Sequence, residues 1–118
     1  MIIYLLILTL IHALIDAIRI RRGGRIYHGW EALAFAALCA PLLIWYPWYW
    51  IVLFAVATRA AFFDIALNLF RGKNWLYNGA GGSLIDRIEN KLDVSMLWLR
   101  ICFIWLYLLT VTIYLLER

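Results

Sequence analysis

Charge is what this sequence has least of. Asp, Glu, Lys and Arg make up only 15% of its 118 residues, eleven of them basic and seven acidic, where a soluble domain carries about 25%. Hydrophobic residues account for 67%, and a soluble fold this small cannot hide so much apolar surface. Disorder is excluded as well, because disordered chains are poor in aliphatic and aromatic residues, and this chain is 17% aromatic. Cysteine is scarce. Cys39 and Cys102 form no metal-ligand spacing, read as apolar packing residues, and report no redox compartment. There is no G-x-S-x-G, no H-E-x-x-H, no paired C-x-x-C and no G-x-x-x-x-G-K-[ST]. Internal repeats and low-complexity segments are also missing, so residues 1–118 read as one domain. What remains is a polytopic membrane protein, with a mean hydropathy of +0.87.

A bilayer core of about 30 Å needs roughly 20 apolar residues per helix. Four runs qualify, at about 1–18, 30–46, 48–70 and 94–116. The second and third are separated only by Trp45-Tyr46-Pro47-Trp48-Tyr49-Trp50. Proline breaks a helix and Trp/Tyr clusters prefer the membrane interface, so this hexapeptide reads as a tight hairpin at one membrane face. The first run has no basic segment before it and no small-residue cleavage site after it, which argues against a cleaved signal peptide. The expected fold is an all-α integral membrane protein: four transmembrane helices in a compact bundle.

The basic residues set the expected orientation. Arg19, Arg21, Arg22 and Arg25 follow the first run. Arg71, Lys73, Arg87 and Lys91 lie between the third and fourth, and the hairpin carries no charge. Basic residues stay cytoplasmic, which puts connections 19–29 and 71–93 inside and both termini outside. A bias this strong suggests a bacterial inner (plasma) membrane. Anionic lipids at the cytoplasmic face explain the net charge of +4, and no nucleic-acid partner is needed.

Charges inside a membrane are expensive and are functional candidates by default. Asp16, Arg59, Asp64 and Arg100 fall within the runs. Thr9, His12, Asp16 and Arg19 share one helical face, as do Asp64, Asn68 and Arg71. Depth counted along the helices places His12, Asp16, His28, Glu31, Asp64, Asn68 and Arg100 at one level, in the cytoplasmic half. The expected polar site is His12, Asp16, Asp64, Asn68 and Arg100. Arg59 is the exception. It lies about 18 Å from the inner boundary at 1.5 Å per residue, is rotated off the Asp64 stripe, and requires a partner from another helix, another subunit or water.

Three chemistries suit such a cluster. The i, i+4 pair His12 and Asp16 can chelate a divalent metal, with His28 or Asp64 completing the ligands. Intramembrane Asp and His are also the usual material of proton or cation coupling. Basic residues can hold an anion or a lipid headgroup; here the candidates are Arg71, Lys73, Gly81, Gly82, Ser83 and Arg87, around a glycine-rich turn that leads into Ser83-x-x-Asp86, a helix capping box. Leu84, Ile85, Ile88 and Leu92 then recur at helical spacing, predicting a short amphipathic interfacial helix between spans 3 and 4.

The leading expectation is an ion- or solute-handling protein. Four short helices enclose little volume, so a homo-oligomer is expected. A metal-dependent membrane-embedded enzyme acting on a lipid or polar headgroup is the alternative. A non-catalytic assembly protein or phage-type permeabilising protein is a third, since buried Asp–Arg pairs often do no more than fix helix register.

Overall fold

The structure, a computed structural model, describes residues 1–76 and 96–118. Among the described residues all regular structure is helical: α1 (Ile2–Arg21), α2 (His28–Cys39), a 3-10 segment (Ala40–Ile44), α3 (Trp48–Thr58), a π turn (Arg59–Phe63), α4 (Asp64–Phe70) and α5 (Met96–Glu117). The predicted amphipathic helix, with Gly81, Gly82, Ser83 and Arg87, lies outside the described residues.

Three helices are long and apolar enough to cross a membrane: Ile2–Arg21, the continuous rod Trp48–Phe70, and Leu97–Glu117. Most of their apolar surface faces outward, with Ile3, Ile7, Val52, Val56, Trp98, Trp105 and Leu116 all exposed. The fourth helix, His28–Ile44, is shorter. The sequence predicts a helix over 30–46, yet the α-helix stops at Cys39. Pro41 lacks the N–H that an α-helical turn would use, and the chain continues as a 3-10 segment instead. The turn before α3 is tighter than the predicted hexapeptide. Pro47 is the N-cap of α3, and Trp48-Tyr49-Trp50 form its first turn.

The C-terminal ends of α1 and α4 close in the same way. Gly23 and Gly72 adopt positive φ, a conformation open to glycine at little cost. Each glycine N–H returns to the second-last helical carbonyl (Gly23 to Ile20, Gly72 to Leu69). The next residue returns to the third-last (Gly24 to Arg19, Lys73 to Asn68). These are Schellman caps. A side chain at 24 would meet Arg19 Cγ at 2.8 Å. Arg21 then donates to the Phe70 carbonyl, holding the two caps together.

α1 packs along α3, the π turn and α4, while α5 packs on α3 and the π turn. The core is apolar and aromatic toward the Pro47 end. Tyr114 meets Trp50 and Phe54 edge-on, and Phe62 meets Tyr107 edge-on at 4.9 Å, a favoured aromatic geometry. α2 stands off from this body. Its hydrogen bonds to α1 among the described residues are Tyr4 donating to the Leu38 carbonyl at 2.7 Å and Arg19 donating to Glu31 at 2.6 Å, with His12 of α1 a further 3.6 Å from Glu31. A cleft lies on each side of it.

Candidate functional site

Two ionic groupings form within the bundle. The first sits where α1 faces α2. His12 and Asp16, one helical turn apart on α1, meet Glu31 from the first turn of α2. Their ligating atoms all lie within 4.8 Å of one another. His12 Nε2 is 3.7 Å from Asp16 Oδ2 and 3.6 Å from Glu31 Oε2. Arg19 stands at the open end, 2.6 Å from Glu31 and 3.9 Å from Asp16. Asp16 is 1% exposed and Glu31 7%. Both Asp16 carboxylate oxygens and Glu31 Oε2 lack a hydrogen-bond partner among the described residues. Buried polar atoms are nearly always bonded, and leaving a charged one unsatisfied is costly.

The grouping forms the floor of a cleft of about 190 Å³ between α1 and α2, whose walls include Ile11, Ile15, Ala34 and Leu38. On the far side of His12, Arg59 Nη1 lies 2.9 Å from Nδ1. The Arg59 guanidinium rests over the Phe63 ring at 4.1 Å and near Phe35 at 5.5 Å. The same two rings pack against the His12 imidazole. Cations are drawn to aromatic faces, so the rings hold both partners of the contact. Arg59 also lines a second cleft, of about 410 Å³, between α2 and α3.

The π turn is what brings Arg59 there. In an α-helix five residues turn a side chain about 140° away. In a π turn residues i and i+5 are joined by the backbone bond and lie nearly above one another. Arg59 is therefore carried round toward the face of Asp64, and so toward α1, which packs along α4.

The second grouping lies between α4 and α5. Arg100 is 1% exposed, and its Nη1 donates to Asp64 Oδ2 at 3.3 Å. Asn68 is buried and donates to the Trp75 carbonyl at 3.4 Å, close to the α4 cap. The predicted polar site is thus divided. His12 and Asp16 belong to one grouping, Asp64 and Arg100 to the other, and Asn68 to the cap. Of the four predicted metal ligands, His28 is exposed at the start of α2 and Asp64 faces Arg100. The structure places Glu31 beside His12 and Asp16 instead. Arg71 and Lys73 lie at the α4 terminus.

Glu31 was visible in the sequence at the right depth, but its rotation on α2 was not fixed by spacing. No sequence signal marks the π turn. No protein-family model matches the chain, and no curated protein or solved structure matches it. The fold and its three long apolar helices suggest a membrane protein, and the site must be read from its own chemistry.

Proposed function

We propose that the chain is a four-span integral membrane protein that binds a cation at His12, Asp16 and Glu31 and handles an ion or small solute as a homo-oligomer. Supporting a fourth span, α2 and its 3-10 extension together reach about 28 Å at their respective rises, close to the hydrocarbon thickness of about 30 Å. The basic caps at Arg21–Arg25 and Arg71–Lys73 would then face the cytoplasm, with both termini outside, and would touch anionic lipid. A bacterial inner membrane is the setting that fits this bias.

One observation carries the reading. Two buried carboxylates hold three oxygens without hydrogen-bond partners among the described residues, two of them facing a histidine nitrogen, at the floor of a cleft. One imidazole and two carboxylates form an N/O ligand set suited to a divalent metal, and a water or solute would complete the shell from the cleft. Asp16 and Glu31 supply the charge, His12 the neutral donor, and Arg19 the guard at the cytoplasmic mouth. Four short helices enclose little volume, so the homo-oligomer would supply a continuous path.

The test is binding and flux together. Purified protein should bind Zn²⁺ in calorimetry, and proteoliposomes should pass the cation. Asp16→Asn should abolish both. Unchanged flux in Asp16→Asn sinks the transport reading. A second reading, a metal-dependent enzyme acting on a lipid or polar headgroup, is favoured by one feature: exposed Ile11, Ile15 and Leu38 frame the cleft, so a lipid-borne group could enter sideways. Phospholipid turnover by the zinc-loaded protein, without cation flux, would select it.

A further inference from the structure

The contact between Arg59 and His12 has the wrong polarity for a resident metal ligand. A metal-bound histidine donates its second ring N–H to an acceptor. A guanidinium has donors only and does not lose its proton in proteins. Nδ1, 2.9 Å from Arg59 Nη1, must therefore be the acceptor. The ring proton of neutral His12 then sits on Nε2, the nitrogen that faces Asp16 and Glu31. A metal can take Nε2 only if that proton moves to Nδ1, and Nδ1–H cannot face an arginine donor.

We infer that Arg59 is a tethered cation that alternates with the bound one: loading the His12–Asp16–Glu31 site breaks the Arg59–His12 contact and drives Arg59 into the cleft between α2 and α3. This deepens the cation-site reading and rests on it. Three further observations support it. Charge is balanced in the empty site, with Asp16 and Glu31 set against Arg19 and Arg59. A dication added there leaves two surplus positive charges at low dielectric, where repulsion is strong. Room for the displaced side chain exists, because Arg59 already lines the roughly 410 Å³ cleft. Its backbone lies in a π turn, an element common at functional sites. The device gives the site a way to release its ion: Arg59 returns to Nδ1, the proton returns to Nε2, and the metal leaves.

The chain has two histidines, so ¹⁵N spectra of the imidazoles in the His28→Gln protein report His12 alone. The metal-free protein should show Nε2 protonated and Nδ1 bare. Zn²⁺ saturation should move the proton to Nδ1 and shift Nε2 as a metal ligand. Arg59→Gln, whose side-chain carbonyl can accept from Nδ1–H, should bind Zn²⁺ roughly tenfold more tightly, the usual scale for such outer partners. A proton on Nδ1 before metal is added overturns the inference. So does equal Zn²⁺ affinity of Arg59→Gln and the parent, which leaves the cation site standing. Absence of Zn²⁺ binding in both proteins overturns the cation site itself, and the inference with it.

Discussion

The two ionic groupings use the same kinds of side chain in the same bundle, and they differ in what they leave over. Between α4 and α5 one acid faces one base, Asp64 and Arg100, and the one buried atom left without a hydrogen-bond partner among the described residues is the donor Arg100 Nε. Between α1 and α2 two acids and a histidine converge beside a cleft, with three carboxylate oxygens lacking hydrogen-bond partners. A buried pair of the first kind fixes how helices meet and is weak support for anything further. A grouping of the second kind is expensive as it stands and becomes favourable when a cation completes it. Under the proposed reading the contrast assigns the Asp64–Arg100 pair to packing and the His12–Asp16–Glu31 grouping to the cation, a distinction that burial alone does not draw.

Substitutions can break that contrast in a graded order. Asp64→Leu should give the largest loss of stability. Removing one partner of a buried pair costs about 3–5 kcal/mol. Thermal unfolding in detergent should show this as a strongly lowered Tm, and Asp64→Leu combined with Arg100→Leu should recover much of it while binding Zn²⁺ like the parent.

Asp16→Asn should do the reverse. Outer partners of a metal already cost about 10–100-fold, so a direct ligand should cost about a hundredfold or more in Zn²⁺ affinity by calorimetry. Tm should change little, because the cost of a buried carboxylate without hydrogen bonds and its long ionic contacts to His12 and Arg19 are removed together. Glu31→Gln removes a second direct ligand and should weaken binding to a similar extent, with a small drop in Tm from loss of the ionic bond to Arg19. Smallest of all, Tyr4→Phe removes the hydrogen bond to Leu38. Its cost should be about 1 kcal/mol, with cation binding unchanged.

The same contrast marks how far the sequence could be read. Hydropathy located every described helix, and Pro47 located the turn before α3, because these are local properties of the chain. Pro41 carried a signal that the apolar run 30–46 concealed, and it ends α2 at Cys39. His12 and Asp16 were legible as a pair, since both ride one helix at i, i+4. Glu31 was legible only in depth. Whether it or Asp64 turns toward His12 depends on the rotation of α2 and α4, which no spacing within either helix states. Arg59 was the least legible residue. Its position off the Asp64 stripe follows from α-helical periodicity, and the π turn at Arg59–Phe63 breaks that periodicity where the arginine lies.

X-ray absorption at the zinc edge of Zn²⁺-loaded protein tests the central claim most directly. The site described predicts one imidazole nitrogen with carboxylate oxygens around the metal, at the roughly 2.0–2.2 Å typical of such bonds. The signal should vanish in His12→Ala and in Asp16→Asn and persist in His28→Gln and in Asp64→Asn. Zinc that does not bind, or that binds His12→Ala with the same spectrum, would contradict it.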